Sequence, residues 1–174
     1  MKVKPFKFCP FCGRALEMTD IEGRRRLFCE KCKWINYVNP LPVISCLVSD
    51  PNGRILLIKR GIEPSKGAWA LPGGFFEQEE SPEEAGKREL KEETNIDGTA
   101  LRQVGVTTHL SPLYGYLLMI GVEYKAQHYN VKAGDDAEDA GFYPLDALPK
   151  IPFRSHHWLI TKSQYSPKSI VDSS

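Results

Sequence analysis

The sequence predicts an α/β (α+β) fold preceded by a small cysteine-bearing module. Three observations support this: strand-length aliphatic runs flank one strongly signalled helix, four cysteines stand in two close pairs, and the composition is balanced. Of the 174 residues, 41% are hydrophobic and 26% charged, as in an ordinary globular protein with one core and an appendage. We expect the module over residues 1–38 and the main domain over residues 39–174.

The module is built on Cys9-Pro-Phe-Cys12 and Cys29-Glu-Lys-Cys32, with 16 residues between the two pairs. Two C-x₂-C pairs at this separation are typical of a tetrahedral structural Zn²⁺ site. A pair of disulfides and an iron site are the competing interpretations, and a disulfide would need an oxidising compartment. A module of this size buries too little apolar surface to fold alone, and a bound metal would supply the missing stability. We therefore predict a zinc ribbon with Cys9, Cys12, Cys29 and Cys32 as ligands.

Two stretches of the ribbon allow a second interpretation. Arg24-Arg25-Arg26 follows Gly23 and predicts a solvated turn, with a phosphate contact as the alternative. The aromatic residues of the segment 34–40 are expected to pack the ribbon onto the main domain, although one of them could stack on a base.

The main domain begins with two aliphatic runs, over residues 41–49 and 54–59. The intervening Asp50-Pro51-Asn52-Gly53 predicts a β-hairpin with an Asn-Gly turn. Cys46 lies inside the first run and is most simply a buried core residue.

Further elements follow along the chain. Trp69 is more simply a core residue than a platform for a ligand. Residues 101–108 and 116–126 predict two strands, and the second is apolar enough to be central in a sheet. Residues 142–149 suggest a strand with a short helical turn, and residues 156–165 a terminal helix.

One helix is well signalled at Ser81. Ser81 suits the N-cap, Pro82 the first helical position, and Glu84 completes a capping box. On this helix Glu89 and two later acids, Glu92 and Glu93, stand at i, i+3 and i+4, so the three carboxylates share one face.

That shared face works against the helix. Like charges at these spacings each cost about 0.2–0.5 kcal/mol, and acids near a helix C-terminus oppose the macrodipole. Carboxylate oxygens are the ligands that Mg²⁺ or Mn²⁺ prefers, and a bound cation would remove the repulsion. The alternative interpretation is a solvated helix face.

The spacing of the whole segment resembles the Nudix box. Gly74 is followed after five residues by Glu80 and after seven more by Arg88-Glu89, and the pattern ends at Ile96. Asn95 stands where the family pattern has glycine, and asparagine is the next-best residue in a left-handed conformation. A match over these 23 residues is far more specific than a lone glycine motif.

The resemblance implies a Nudix α/β/α sandwich and a hydrolase that acts on a diphosphate with Mg²⁺ or Mn²⁺. It implies that four groups bind that ion: Glu89, Glu92, Glu93 and the carbonyl of Gly74. Of the box residues it implies a catalytic part for Glu92, Glu93 and Arg88, with Arg88 orienting neighbouring acids. Gly73 and Glu80 are expected to be structural.

A later acidic loop, residues 135–139, lies where many family members place an extra base or metal carboxylate. Glu138 and Asp139 are the candidates, and a solvated loop is the alternative.

A ribbon joined to this box resembles the zinc-ribbon Nudix hydrolases, which include NADH, ADP-ribose and FAD pyrophosphatases. NADH pyrophosphatases carry the signature S-Q-P-W-P-F-P after the box, whereas residues 109–115 here read HLSPLYG. This difference disfavours NADH itself, so we favour ADP-ribose, FAD or a similar nucleoside diphosphate linked to another moiety, with an NADH-like compound as the remaining member of this class. The alternatives are a nucleoside triphosphate pyrophosphatase and a non-catalytic nucleotide-sensing module. The retained carboxylates favour catalysis.

Net charge and hydropathy limit the kinds of binding partner that we expect. The net charge is +1, from 23 basic and 22 acidic residues, so no strong field attracts nucleic acid or a membrane surface. No apolar run is long enough to span a bilayer, and the opening MKVKPFKFCP has no apolar signal core. We expect a cytoplasmic enzyme that binds a small-molecule nucleotide. The family resemblance suggests a homodimer.

Overall fold

The computed structural model describes residues 6–165, which form three sheets, two α-helices and a short 3-10 turn. The strands are β1 (Glu17–Ile21), β2 (Arg24–Cys29), β3 (Trp34–Asn36), β4 (Leu41–Val48), β5 (Ile55–Arg60), β6 (Trp69–Ala70), β7 (Gly98–Ser111), β8 (Gly115–Ala126) and β9 (Ala137–Tyr143). The helices are α1 (Pro82–Thr94) and α2 (Arg154–Tyr165), and the 3-10 turn is Leu145–Ala147.

The ribbon is the antiparallel sheet β1-β2-β3. Arg24 to Arg26 lie within strand β2, so the predicted arginine turn is wrong. The turn is made one step earlier by Glu22 and Gly23, whose φ angles are +53° and +74°. Only Gly23 adopts that conformation without strain.

The expected role of the segment 34–40 also needs correction. Trp34 packs inside the ribbon, edge-on against Phe6 and Phe11 with ring centroids 6.1 and 6.0 Å away. Tyr37 lies under the guanidinium of Arg26, 4.6 Å from ring centroid to Cζ. These aromatics stabilise the ribbon itself, because a module this small has few other apolar contacts.

The main sheet is mixed. Strand β8 is central, parallel to β4 and antiparallel to β7, which confirms the central strand predicted from its apolar sequence. Strand β4 is buried on both faces: Val43 and Leu47 belong to the core that contains Leu159 of α2, whereas Ile44 and Cys46 belong to the core under α1. The sheet is therefore covered by one helix on each face, which is the predicted α/β/α arrangement.

The predicted β4–β5 hairpin is wrong. Strand β5 pairs with β6 and β9 in a separate sheet, and only an isolated bridge between Ser49 and Ile55 connects it to the end of β4. The buried carboxylate of Asp50 holds the turn by accepting hydrogen bonds from the backbone N–H of Asn52 (3.0 Å) and of Arg54 (2.9 Å). The Asn-Gly turn is real, but β4 finds its partner in β8 and the strands diverge.

Helix α1 begins and ends as predicted. The Ser81 side chain accepts from the N–H of Glu84, and the Glu84 carboxylate accepts from the N–H of Ser81, so the capping box is complete. Asn95 ends the helix in the left-handed conformation with φ +59°. Ala85 and Leu90 are fully buried and hold α1 against the sheet. Neither α1 nor α2 is long and apolar enough to cross a membrane.

Candidate active site

An acidic cavity of about 550 Å³ lies where the second half of α1 meets the Gly73–Gly74 turn and the loop before β9. Its acidic lining residues are Glu63, Glu77, Glu89, Glu92, Glu93, Asp135 and Asp136. Arg60 and Arg88 are the basic residues among those that line it. The three helix acids that the sequence places on one face therefore do open onto a common space.

The Gly73–Gly74 turn holds the helix acids against the sheet. Gly73 has φ +143°, and a Cβ on it would overlap the carbonyl of Ile44 on β4. Its N–H donates to Oε2 of Glu93 at 2.8 Å. A Cβ on Gly74 would overlap the carboxylate of Glu89, and the Gly74 carbonyl accepts from the N–H of Ile44 at 2.9 Å. Position 73 thus requires glycine because the Ile44 backbone occupies the space of a side chain, whereas a side chain at position 74 would displace the Glu89 carboxylate.

Arg88 is fully engaged by the protein. Its Nε and one Nη2 hydrogen hold the two oxygens of Glu80 at 2.7 and 3.0 Å. Nη1 donates to Glu89 at 2.9 Å and to Glu92 at 3.0 Å, and Nη2 also donates to the carbonyl of Phe75 at 3.0 Å. A guanidinium has five N–H donors, and these five bonds use all of them. Arg88 therefore positions acids and backbone.

The bidentate contact with Arg88 also fixes the charge of Glu80. The hydrogen bonds from Arg88 lower the pKa of Glu80 to about 2, helped by the N–H of Glu77. Glu80 is thus a permanent anion that balances Arg88.

Burial makes Glu89 and Glu93 difficult to ionise. Glu93 is only 4% exposed, and burial raises its pKa to about 8 against the opposing hydrogen bond from Gly73; the charge of Glu89 raises it further. Burial likewise raises the pKa of Glu89, although Arg88 works in the opposite direction. A buried and a partly buried carboxyl group, of which only Glu89 is paired with Arg88, fit a divalent cation, which would compensate their charges and take their remaining lone pairs.

A second, mainly apolar cavity of about 140 Å³ adjoins the acidic one. The two share five lining residues: Arg60, Gly73, Gly74, Phe75 and Tyr114. Phe75 and Tyr114 meet edge-on at this boundary, with ring centroids 5.0 Å apart. A ligand with a charged and an apolar end can therefore extend from one cavity to the other past this aromatic pair.

The predicted extra carboxylates lie elsewhere. Strand β9 begins at Ala137 and takes Glu138 and Asp139 into the sheet, where Glu138 lies 3.3 Å from Nζ of Lys59. Asp139 accepts the N–H of Ala140 at 2.8 Å. Asp135 and Asp136, three residues earlier in the same acidic run, line the cavity instead.

His156 lines the apolar cavity, although no motif or spacing in the sequence marks it. Its Nδ1 accepts the backbone N–H of Leu71 at 2.9 Å, across 85 positions of the chain. Both residues line the apolar cavity. A histidine in a terminal helix has no local signal for such a contact.

The four ribbon cysteines form a second candidate metal centre. Their sulfur atoms all lie within 4.8 Å of one another, and Cys12 and Cys29 are 3.6 Å apart. Four thiolates around Zn²⁺ at about 2.3 Å are separated by about 3.8 Å in a tetrahedron. The donor set and its spacing therefore fit a structural zinc ion.

Family models match the chain in two consecutive segments. The NUDIX domain model matches residues 39–164, and the zinc-ribbon model described as Nudix N-terminal matches residues 7–38. The chain belongs to the Nudix family. The α/β fold and the family expected from the box are confirmed, and with them the class of enzyme, a hydrolase of phosphoric anhydrides.

Individual relatives agree. Over 129 residues the chain is 39% identical to an ADP-ribose pyrophosphatase of Methanocaldococcus jannaschii, covering 70% of this chain and 72% of that protein. It is 31% identical over 148 residues to the NAD-capped RNA hydrolase NudC of Pseudomonas aeruginosa, covering 84% of this chain and 50% of that protein. The chain thus spans about half the length of its NudC relatives. The crystal structure of a NUDIX hydrolase from Nitrosomonas europaea has a TM-score of 0.77 at 28% identity, with 92% of each chain covered.

Proposed function

We propose that the protein is a Mg²⁺- or Mn²⁺-dependent pyrophosphohydrolase that cleaves the diphosphate of a nucleoside diphosphate linked to another moiety, such as ADP-ribose, FAD or an NADH-like compound. The observation that carries the proposal is the pair of adjoining cavities. One is lined by carboxylates suited to a cation-bound diphosphate, and the other by apolar residues suited to a ring. The similarity to an ADP-ribose pyrophosphatase supports this substrate class.

In this proposal Glu89, Glu92, Glu93 and the Gly74 carbonyl hold the divalent ion. Such an ion neutralises charge on phosphate oxygens and lowers the pKa of a bound water. The Gly74 carbonyl keeps one lone pair beside its hydrogen bond to Ile44, and each helix acid keeps lone pairs beyond those used by Arg88 or Gly73.

The remaining site residues have positioning parts. Arg88 keeps Glu89 and Glu92 in place, because it joins both to the rigid anion of Glu80. A carboxylate that opens onto the acidic cavity accepts the proton of the attacking water. Glu92 is the half-exposed acid of the helix, and Asp135 and Asp136 are the other candidates. Glu138 and Asp139, which lie on β9, are less suited.

We further propose that the zinc ribbon around Cys9, Cys12, Cys29 and Cys32 belongs to residues 1–38 and the catalytic domain to residues 39–174, where residues 1–5 and 166–174 lie outside the described part of the chain. The spacing of the four sulfur atoms supports the first part. Unpaired cysteines are typical of a reducing compartment, which favours the cytoplasm. That the protein is a homodimer stays a prediction, and the molar mass of the purified protein, measured by light scattering, would test it.

The test is a substrate screen with Mg²⁺, in which products are identified by mass. ADP-ribose, FAD, NADH and ATP are offered to the wild type and to Glu92→Gln. We expect AMP from ADP-ribose or FAD in the wild type and no turnover in the variant. Release of pyrophosphate from ATP alone would instead identify a triphosphate pyrophosphatase. Tight binding without any product would identify a sensor, and either result overturns the proposal.

A further inference from the structure

The apolar cavity contains a hydrogen-bond donor that no described residue uses. His156 is 8% exposed and lines this cavity, with its ring 5.0 Å from that of Phe153. Its Nδ1 accepts the N–H of Leu71 at 2.9 Å. Because Nδ1 accepts this hydrogen bond, it must carry a lone pair and no proton. The proton of the neutral ring is therefore on Nε2.

The ring stays neutral in the folded protein. Burial lowers the pKa of His156 to about 3, and the nearby charges of His109, Arg60 and His157 act in the same direction. An imidazolium could not accept the Leu71 N–H in any case, because both of its nitrogens are donors. The protein therefore presents one N–H at a fixed place and never a positive charge.

The Nε2 atom is available to a ligand. Within residues 6–165 it makes no hydrogen bond. It is also not among the side-chain polar atoms of that part of the chain that are fully buried without a partner, so water or a ligand can reach it. A buried donor without a partner is costly, by about 1–3 kcal/mol when water cannot reach it. A ligand that enters the cavity must therefore present an acceptor to this atom or lose the hydrogen bond that water makes.

We propose that the apolar cavity binds the adenine base of the substrate and that Nε2–H of His156 donates a hydrogen bond to an unprotonated ring nitrogen of that base. The inference rests on the proposed function, since the diphosphate in the acidic cavity is what places the base next door. A cavity of about 150 Å³ holds a benzene ring; this one measures about 140 Å³, and the adjoining larger cavity, with which it shares five lining residues, gives room for the rest of the larger adenine. Adenine is neutral and offers ring-nitrogen acceptors, which suits a neutral donor among apolar walls.

His156 can be changed so that its two nitrogens are tested separately. In His156→Asn the amide oxygen replaces Nδ1 and can still accept the Leu71 N–H, but no donor remains at the place of Nε2. In His156→Gln the longer side chain brings an N–H towards that place and gives up the contact with Leu71. His157 is the matched control, because it is exposed and its Nε2 lies 2.9 Å from the carbonyl of Ile151.

The test measures the binding of adenosine, which has no phosphate and is not hydrolysed, by chemical-shift titration of the full chain. One of 1-, 3- and 7-deazaadenosine should bind the wild type about five- to tenfold more weakly than adenosine, as loss of one neutral hydrogen bond predicts. His156→Asn should weaken the binding of adenosine to the same extent. Replacing adenosine by that deaza analogue should not weaken binding to this variant any further. His157→Asn should bind like the wild type, and His156→Gln should recover part of the loss.

Two results would overturn the inference. The first is equal binding of adenosine and all three deaza compounds to the wild type, which needs no variant to fold. The second is tighter binding of nicotinamide riboside than of adenosine, which would assign the cavity to another ring. Adenosine is not a substrate, so its binding is tested separately from catalysis. If adenosine binds in a His156-dependent way but ADP-ribose is not hydrolysed, the proposed function is contradicted and this inference stands.

Discussion

Replacing Glu93 by glutamine should stabilise the protein in the absence of added divalent metal and at the same time abolish turnover. The pKa of the buried Glu93 carboxyl is about 8, against 4.5 in the unfolded chain. Below pH 4.5 both states keep the proton. As the pH rises from 4.5 to 8, the unfolded chain releases it and the folded protein retains it, so the free energy of unfolding falls.

The magnitude follows from the size of the shift. Each pH unit in this window removes about 1.4 kcal/mol, which gives about 3 kcal/mol at pH 7. Glutamine has no proton to release, and its amide oxygen can still accept the N–H of Gly73. Glu93→Gln should therefore unfold about 6–12 °C higher than the wild type at pH 7 and about equally at pH 4.5.

The assay is thermal unfolding between pH 4.5 and 8 after desalting, because a strong chelator would also remove zinc from the ribbon. The control is Glu92→Gln, which removes a carboxylate from the same helix face at a side chain that is 44% exposed. Added Mg²⁺ should narrow the difference, because it stabilises the wild type more than a variant that has lost one of the four proposed ligands. Turnover of Glu93→Gln should fall by more than about 100-fold, beyond what loss of a merely supporting residue causes. Identical pH profiles for the Glu93 and Glu92 variants would refute the reasoning.

Three further changes probe the ribbon, the arginine and the glycine turn. Cys29→Ser should lose zinc in metal analysis and lower the melting temperature, because zinc binding contributes to the stability of small metal-binding domains; a full zinc complement would contradict this. Arg88→Lys keeps the charge but cannot make five hydrogen bonds, so kcat should fall about 100-fold through displaced acids with little change in melting temperature; wild-type kcat would show that orientation is unimportant. Gly73→Ala should cost at least about 2 kcal/mol in denaturant unfolding, since its Cβ overlaps the Ile44 carbonyl; an unchanged midpoint would contradict the geometry.

Local signals in the sequence were sufficient for α1. Ser81, Pro82 and Glu84 specify its start, and Asn95 its end, through contacts within a few residues. The carboxylate face was equally readable, because i, i+3 and i+4 spacing fixes which side chains neighbour each other on a helix. The capping box and the left-handed Asn95 are confirmed.

Features that depend on distant partners were not readable. Asp50-Pro51-Asn52-Gly53 does make a turn, but whether its flanking strands pair depends on β8, about 70 residues later, which takes β4 as a parallel partner. The sequence predicts that the acidic loop, residues 135–139, contributes a carboxylate. Which of its acids face the cavity depends on where β9 starts, at Ala137. His156 meets Leu71 only because α2 folds back over the sheet.

Strand β4 carries alternate side chains into two different cores, and this limits how the gene can vary. Val43 and Leu47 lie on one side and Ile44 and Cys46 on the other. A single substitution in this strand disturbs one core. Deletion of one residue would shift every following side chain to the opposite face and move Ile44 away from the carbonyl of Gly74. Changes in length should therefore accumulate in the 50–53 turn, while β4 itself varies only by replacement.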